Sequence, residues 1–450
     1  MRDHALYERL LGIGRPWRVW DVQLKLDAGE VVIQLEVDET AIAVCPTCGK
    51  PVPGYDKRER QWRHLDTMQY RTLLVAQVPR VNCDVHGVQL IGVPWAERNA
   101  RFTAWFESLV IDWSLATSLV AASRLLHLSW DQVSGVQARA VARGLARREL
   151  APVTRIGVDE TSFQKRHEYV TVVCDLDATQ GGVLYVADDR KESSLAPFFE
   201  QLGSQGCQQL QHVAMDMWPA YINATTKALD DADEKIVFDK FHIAKHLGDA
   251  VDQVRRDEHR RLHQQGDERL ARTKYDWLRN TRAMNQQERR EFAELRRSGL
   301  QVARAWAIRQ MAMSLWGYVS RGWAQRAWKR WYGWAIRSRL EPICKVARMI
   351  KRHWDGVMNA VTSNTTNAKA ESLNAKIQWI KHKACGYRNR DRFRTAIYFH
   401  LGGLDLAEWQ LVCAVHNLGK LFRSGRAGRV IAGWDGGTGS RTTRTALGWA

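Results

Sequence analysis

The order of apolar runs between residues 154 and 245 is the feature that most constrains the fold of this chain. Three β-like runs follow one another directly, beginning at Arg155, Tyr169 and Gly182, and two further runs then alternate with amphipathic helical segments. A change from consecutive strands to alternating helix and strand predicts a mixed sheet. We therefore expect an α/β domain at the centre of the chain.

Two aspartates end predicted strands of this sheet. Asp159 follows the first run and Asp216 follows the fourth. The order of elements is typical of a ribonuclease-H-like sheet, in which the first and fourth strands are parallel neighbours and their carboxyl ends form the usual ligand-binding edge. The spacing, 216 − 159 = 57 residues, fits three strands and a helix. We therefore expect the two carboxylates to lie together.

A third carboxylate, Glu371, lies on a predicted helix that follows polar capping residues and ends near Gly386. Spacings of three and four residues place five polar side chains on one face of it, namely Asn367, Glu371, Asn374, Gln378 and Lys381. Hard oxygen ligands select Mg²⁺ or Mn²⁺, and two such ions about 4 Å apart can promote in-line displacement at phosphorus. Because a lone Asp at a strand end is commonly a turn or cap residue, only the set of three is informative.

The charge balance favours a polyanionic partner. There are 67 Lys and Arg against 49 Asp and Glu, and 67 − 49 gives a net charge of +18 over 450 residues. Each phosphate that such a chain neutralises releases counterions, although a merely soluble basic surface is the alternative. The length predicts two to four domains. No run approaches the ~20 apolar residues of a membrane span and no signal peptide is recognisable, so we expect a cytoplasmic, nucleoid-associated protein without a membrane partner.

Four of the potential metal ligands form two knuckles. Two residues separate Cys45 from Cys48, two separate Cys83 from His86, and Gly follows each pair. Three thiolates and one imidazole form a closed tetrahedral set, so we predict a structural Zn²⁺; the alternative is a coincidence of pairs in a small β domain. His64 is a weaker candidate ligand, and we expect it to lie on the surface.

A helix-turn-helix is predicted between residues 102 and 148. The stretch from Ser114 to Leu126 has helical spacing of apolar residues, and Ser129 to Gln132 reads as a capping box that begins a second helix. That second helix is expected to expose side chains suited to base edges and phosphates, namely Gln137, Arg139, Arg143, Arg147 and Arg148. An ordinary helical hairpin remains the alternative.

Residues 246–355 are predicted to be helical and are rich in Arg and Trp. Arg326, Trp328, Arg330 and Trp331 typify the pattern. Interleaved cations and aromatic rings suit unpaired or distorted DNA, and the alternative for any single Trp is a place in a helical core. We favour DNA contact for the segment as a whole. On the helix of Glu371, the lysines Lys369, Lys376 and Lys381 are further candidate phosphate ligands.

These patterns divide the chain into six predicted segments. They are a zinc-binding β-rich module that binds DNA (1–100), the helix-turn-helix (101–150), the first part of a ribonuclease-H-like catalytic core (151–245), the α-helical insertion (246–355), the Glu-bearing helix of the core (356–405), and a C-terminal extension with a basic tail (406–450).

The motifs in this order closely resemble the ISL3 family of bacterial insertion-sequence transposases. The resemblance covers about residues 35–405 and rests on the zinc module, the helix-turn-helix, and the motifs around Asp159, Asp216, Asp239 and Glu371. It implies a DDE triad on a ribonuclease-H-like fold, with a helical insertion in the 371 − 216 = 155 residues before the Glu. It also implies an enzyme that binds terminal inverted repeats, cleaves the 3′ ends and joins them to target double-stranded DNA, as a dimer or larger assembly.

The resemblance assigns roles to individual residues. Asp159, Asp216 and Glu371 are implied ligands of two Mg²⁺ (or Mn²⁺) ions, with Asp239, His242 and Asn374 in support. The same resemblance implies that Cys45, Cys48, Cys83 and His86 bind zinc, although many relatives have Cys in place of His86. Two competing functions remain open from the residues alone: a metal-dependent DNA nuclease without joining activity, and a non-catalytic DNA-binding regulator on the same fold.

Overall fold

The computed structural model describes residues 3–38, 44–150, 152–164, 168–179, 182–363, 365 and 367–406. The described residues divide into two compact units, one formed by those up to residue 140 together with 405 and 406, and the other by those between 141 and 404. Most of the predicted basic tail, from residue 407 onward, lies outside the described residues. Among the described helices, none is both long enough and apolar enough to be a candidate membrane span.

The first unit begins with a β module. Its elements are α1 (Asp3–Leu11), β1 (Trp17–Lys25), β2 (Glu30–Val37), β3 (Gly54–Arg63), β4 (Arg71–Cys83) and β5 (Gly87–Leu90). The strand order is β1-β2-β4-β3, and β5 pairs with the end of β4. Trp17 and Trp62 both pack edge-on against Trp95, with ring centroids 4.9 and 5.4 Å apart. These buried indoles form the centre of the small core.

Three helices follow: α2 (Ala104–Ala116), α3 (Leu119–Leu125) and α4 (Trp130–Arg147). The stretch predicted to be helical from Ser114 to Leu126 is interrupted, because Ser118 Oγ accepts a hydrogen bond from Ala121 N (3.2 Å) and starts a new helix. The predicted capping box of the last helix is confirmed. Ser129 N donates to Gln132 Oε1 at 2.8 Å, and Gln132 N donates to Ser129 Oγ at 3.2 Å.

The second unit contains the predicted mixed sheet. Its strands are β6 (Arg155–Gln164), β7 (Glu168–Asp175), β8 (Val183–Ala187), β9 (His212–Met215) and β10 (Ile236–Phe238), in the order β10-β9-β6-β7-β8. The first and fourth strands, β6 and β9, are parallel neighbours. The ribonuclease-H-like α/β fold class is therefore confirmed.

Helices cover this sheet and form the insertion. They are α5 (Glu192–Gln209), α6 (Pro219–Ala228), α7 (Ala232–Lys235), α8 (Lys240–His263), α9 (Lys274–Leu278), α10 (Gln286–Arg297), α11 (Gln301–Ser314), α12 (Arg321–Ile336), α13 (Glu341–Arg352), α14 (Trp354–Ser363), α15 (Ala368–Lys383) and α16 (Arg390–Leu401). Short 3₁₀ turns occur at Thr281–Ala283 and Leu315–Gly317. α8 carries buried apolar residues along its length and packs against α11 and α13, whereas α14 packs on β10 and α15 on β6.

Candidate functional site

The register of the sheet brings Asp159 and Asp216 side by side. Ile156 of β6 pairs with Val213 of β9, and Gly157 pairs with Ala214. Extending this one-to-one register by two residues places Asp159 opposite Asp216. Asp159 does not end its strand as predicted, because β6 continues to Gln164 through antiparallel pairing with β7. It lies instead where β6 passes beyond the end of β9.

Each aspartate is oriented by a local hydrogen bond. Glu160 N donates to Asp159 Oδ1 at 2.8 Å, and Met217 N donates to Asp216 Oδ1 at 2.6 Å. Burial raises the pKa of Asp159 to about 6, an effect that the Glu160 N–H and the nearby His242 only partly oppose. The Asp216 side chain is exposed over 40% of its surface. One carboxylate is thus desolvated while its neighbour faces solvent.

Asp239 and His242 lie next to this pair. Asp239 follows β10, and its side chain is fully buried. One of its oxygens caps α8 by accepting from Phe241 N at 3.2 Å. His242 Nδ1 lies 3.4 Å from Asp216 Oδ1 and 3.8 Å from Asp239 Oδ2, without the alignment of a hydrogen bond. Burial is also the main cause of the raised pKa of Asp239.

Helix α15 docks its polar face on β6. Asn374 Nδ2 donates to Asp159 Oδ2 at 2.8 Å, and Gln378 Nε2 donates to Thr161 Oγ1 at 2.6 Å. One turn farther on, Lys381 Nζ donates to Ser162 O at 2.8 Å. Glu371 lies one turn before Asn374 on the same face and is exposed. Glu371 is therefore carried by the helix that contacts Asp159 through Asn374.

Asn367 differs from the other members of that face. It is completely buried, and its two amide atoms lack hydrogen-bond partners among the described residues. A Cβ at Gly157 would lie 2.6 Å from Asn367 Oδ1, so glycine is needed for α15 to approach β6 this closely. Asn367 is therefore part of the buried contact between α15 and β6.

The donor atoms around Asp159 are suited to a hard divalent cation. They are carboxylate oxygens, and Asp239 Oδ2 is a buried oxygen without a hydrogen-bond partner among the described residues. Within the described part of the chain, these carboxylates do not form a group of three with ligand atoms within 4.8 Å of one another. Ligands that share two ions about 4 Å apart need not lie that close. The oxygen ligands that these residues offer are therefore of the kind that Mg²⁺ prefers.

A neighbouring cluster was missed by the sequence reasoning. Arg190 forms an ion pair with Glu160 at 3.2 Å, and its guanidinium lies 4.7 Å from the ring centroid of Trp218. Trp218 Nε1 also donates to Arg190 O at 3.0 Å. Because Glu160 and Trp218 lie one and two residues from Asp159 and Asp216, adjacency to the carboxylates was the available signal. This cluster adds a cation and a half-exposed indole beside the acidic edge.

The two predicted knuckles come together in the β module. Cys48 Sγ lies 3.9 Å from Cys83 Sγ, and His86 Nδ1 lies 3.7 Å from Cys45 Sγ and 3.5 Å from Cys83 Sγ. Ligands about 2.0–2.3 Å from a tetrahedral zinc are separated by roughly 3.5–3.8 Å, so the observed distances fit this ion. The Cys48 backbone amide is the main reason that the pKa of the Cys45 thiol falls to about 6, which favours the thiolate. Gly49 and Gly87 have φ of 69° and 66°, which allows the tight turns after each pair.

His64 does not belong to this set and is not a surface residue. Its Nδ1 lies 2.8 Å from Thr103 Oγ1, and burial lowers its pKa to about 4. The expectation of a surface position was therefore wrong, because β3 ends against the segment that leads into α2.

The helix α4 exposes fewer polar side chains than predicted. Gln137 is buried, with 4% of its surface exposed, because it faces the small helical core. Arg139 forms an ion pair with the buried carboxylate of Glu107. Arg148 belongs to the second unit and donates to Val183 O and Leu184 O of β8, a strand of that same unit. Arg147 is exposed and Arg143 is half-buried, so these two remain candidate DNA contacts.

In α12, the predicted aromatic residues lie on the wrong face for DNA. Trp328 and Trp331 are completely buried, and Trp331 Nε1 donates to Ile308 O at 2.9 Å. They are core residues because they share the apolar face of α12 with Ala324 and Ala335. Arg326 and Arg330 are exposed on the opposite side.

The exposed face of α12 has other aromatic residues. Trp323 is 60% exposed and Trp334 is 37% exposed. The Arg326 guanidinium lies 4.5 Å from the ring centroid of Trp323. A stripe at spacings of three and four residues thus comprises Trp323, Arg326, Arg330, Trp334 and Arg337, which we call the α12 stripe. The α12 sequence contains no Asp or Glu, so this surface is strongly basic.

The three lysines of α15 differ in whether their ammonium groups are already hydrogen-bonded within the structure. Lys369 Nζ donates to Ala178 O and Lys381 Nζ donates to Ser162 O, so both side chains dock the helix rather than point freely to solvent. Lys376 is exposed. Only Lys376 of the three is freely available for a phosphate in this structure.

The chain matches models of three transposase domains. A model described as a transposase matches residues 156–397, one described as the zinc finger of the transposases of IS204, IS1001, IS1096 and IS1165 matches residues 42–86, and one described as the helix-turn-helix domain of transposase family ISL3 matches residues 93–141. The first of these spans more than half of the 450 residues.

Two curated relatives are similar over most of their length. The transposase for insertion sequence element IS1557 of Mycobacterium tuberculosis is 28% identical over 419 residues, which cover 86% of this chain and 93% of the relative. The transposase for insertion sequence element IS1001 of Bordetella parapertussis is 26% identical over 398 residues, which cover 87% of this chain and 97% of the relative.

Proposed function

Because the chain belongs to the ISL3 family of transposases, we propose that it cleaves the 3′ ends of its insertion sequence and joins them to target DNA. The observation that carries this proposal is the convergence of Asp159, Asp216 and the Glu371 helix at one edge of the sheet. A nuclease that lacks joining activity and a non-catalytic regulator are the competing functions.

Asp159, Asp216 and Glu371 are proposed to hold two Mg²⁺ (or Mn²⁺) ions. When bound at such a site, divalent ions would supply activation of a water or a 3′-hydroxyl and stabilisation of the leaving oxygen at phosphorus. Asp159 contributes a desolvated carboxylate, and Asn374 fixes one of its oxygens at 2.8 Å. His242 Nδ1 lies 3.4 Å from Asp216 and 3.8 Å from Asp239, and we propose that these two residues support the site.

The reaction consists of two displacements at phosphorus. In the first, a water oxygen bonds to phosphorus while the bond to the 3′ oxygen breaks, which leaves a 3′-hydroxyl and a 5′-phosphate. In the second, that hydroxyl attacks a target phosphodiester, so that one P–O bond forms and one breaks. Arg190 is half-exposed beside this edge and would favour the developing negative charge.

DNA is proposed to contact both units. In the second unit, the α12 stripe offers guanidinium groups for phosphates and two exposed indoles for unpaired bases, and Lys376 lies on the helix of Glu371. In the first unit, the zinc module and the helix-turn-helix would bind terminal inverted repeats. We expect a dimer or larger assembly on DNA, since two ends must be joined.

The test uses a supercoiled plasmid that carries both ends of the element. Asp216→Asn is nearly isosteric, and we expect it to abolish Mg²⁺-dependent nicking while repeat binding in a gel-shift assay is retained. Asp230→Asn, at an exposed position after α6, is the matched control and should cleave normally. Nicking by the Asp216→Asn protein at the native rate would contradict the assignment.

The same assay separates the competing functions. Transfer of the cleaved 3′ end to a second, labelled plasmid is expected for a transposase. Nicked or linear product without joined product would favour the nuclease, and binding without either product would favour the regulator.

A further inference from the structure

An open groove beside β3 has no assigned role. Its volume is about 640 Å³, and β3, the segment leading into α2 and the first turn of α4 all line it. Sites for drug-sized ligands span about 300–1,000 Å³, so the groove has room for a nucleotide-sized part of a larger molecule. All of its lining residues belong to the first unit.

The groove is strongly basic. Four guanidinium groups, Arg58, Arg60, Arg63 and Arg101, line it together with one carboxylate, Glu59. Gln77 Nε2 donates to Glu59 at 3.1 Å, so this carboxylate is engaged with a neutral amide. The charge of the arginines therefore exceeds that of the acid lining the groove.

Two of the arginines are already used by the fold. Arg63 forms an ion pair with Asp66 at 2.6 Å, and Arg60 donates to Ala100 O at 3.2 Å. By contrast, the exposed side chains of Arg58 and Arg101 make no hydrogen bond or ion pair with any described residue. Two cations thus remain available to a ligand.

Backbone hydrogen bonds hold the segment of Arg101 beside β3, the strand that carries Arg58. Arg63 N donates to Arg101 O and Thr103 N donates to Arg63 O, both at 3.0 Å, which ties the segment of Arg101 to the end of β3. Charged side chains on an edge strand commonly serve only to prevent pairing with another strand. Preventing strand pairing does not require a cation from a second segment of the chain. The two arginines together therefore indicate that the groove binds an anion.

We propose that this groove, which Arg58 and Arg101 line, binds phosphates of the DNA backbone. The inference rests on the proposed function, in which DNA is the substrate. Guanidinium forks match phosphate oxygens in two-pronged hydrogen bonds. The contact fixes the position of the first unit on the duplex without reading its sequence. Gln132, in the first turn of α4, lines the same groove and would approach the same strand.

The experiment measures the salt dependence of DNA binding by the full chain. The probes are a fluorescein-labelled duplex from the end of the element and a random-sequence duplex of equal length. For the double variant Arg58→Gln/Arg101→Gln, we expect roughly tenfold weaker binding to both duplexes and a slope of log K against log [salt] smaller by about 1.8, since each phosphate contact contributes about 0.9.

Two control proteins keep the test specific. Arg9→Gln/Lys25→Gln removes the same charge from exposed positions on α1 and β1, at the opposite side of the sheet order, and should retain the native slope. Arg58→Lys/Arg101→Lys keeps the charges and should restore most of the slope. Zinc content and circular dichroism verify that every variant is folded.

The outcomes separate this inference from the proposed function. A native slope in the glutamine double variant, or an equal loss in the Arg9/Lys25 control, would overturn the groove as a phosphate site. A reduced slope only in the groove variant supports it even if the native protein neither nicks nor joins DNA. A loss confined to the element's end would also overturn it, because backbone contacts do not distinguish sequences.

Discussion

Asn374 and Asp159 are joined by a 2.8 Å hydrogen bond across 215 residues of sequence. The same amide group lies 3.3 Å from Glu160 O, so one side chain binds both the carboxylate and the backbone of β6. Because Asn374 lies one turn after Glu371, this contact sets the distance between the Glu371 helix and the two aspartates. We therefore propose that Asn374 is a positioning residue of the site.

Replacing Asn374 should impair catalysis more than DNA binding. We expect Asn374→Ala to lower the nicking rate about 10–100-fold and to raise the Mg²⁺ concentration required, as is typical when a partner of a metal ligand is lost. Gln378→Ala is the matched control, since Gln378 docks α15 on Thr161 and Ser162 without touching the carboxylate. If both variants have the same Mg²⁺ dependence, Asn374 only holds the helix in place.

Loss of one zinc ligand should unfold the β module. We expect Cys83→Ser to lose stoichiometric zinc and repeat binding, because the four ligands join the loop after β2 to the turn between β4 and β5. Zinc measured by mass spectrometry and a gel shift report these changes. Cys385→Ser, at an exposed cysteine outside the set, should retain both. Full zinc content in the Cys83→Ser protein would contradict the assigned ligand set.

The sequence predicted the sheet and the zinc site well, because both depend on short patterns. The strands followed from the period of apolar residues, and the parallel pairing of the first and fourth followed from their ribonuclease-H-like order. The Cys-x2-Cys and Cys-x2-His pairs specify their own geometry. The end of the first strand was misplaced because Asp159 looks like a terminal residue, whereas pairing with β7 extends β6 to Gln164. Local propensity does not contain that long-range pairing.

Side-chain exposure was harder to predict than the helices themselves. The Arg and Trp content of α12 indicated a helix with two faces, but it did not indicate which tryptophans faced the core. Gln137 likewise has a polar side chain that suggests exposure, yet its position between Val136 and Ala140 belongs to the buried face of α4. Packing partners from distant segments decide such cases.

Two tryptophans of α12 should therefore respond oppositely to truncation. Trp328→Ala should lower the free energy of unfolding by about 3–5 kcal/mol, because a completely buried indole is lost from the insertion core. Trp323→Ala should leave stability nearly unchanged and weaken binding of single-stranded DNA, by about 1–3 kcal/mol if its ring stacks on a base. Denaturant unfolding and fluorescence anisotropy measure the two effects. Native single-strand affinity in the Trp323→Ala protein would exclude stacking on this ring.

Acid should destabilise the second unit through His400, which lies on α16. Burial, assisted by the charge of Lys383, lowers the pKa of His400 to about 4, whereas an unfolded histidine titrates near 6.5. The unfolded state therefore binds the proton more readily, so the stabilisation present above pH 6.5 is lost as the pH falls toward 4. Since His400 is only partly enclosed, we expect a loss of roughly 2 kcal/mol between pH 7 and 4.5.

Guanidinium unfolding of the native, His400→Gln and His382→Gln proteins at both pH values checks this. His382 is exposed, so its variant should behave as the native protein does, and the difference between variants cancels any acid-induced loss of zinc. An equal pH dependence in all three proteins would show that His400 makes no such contribution.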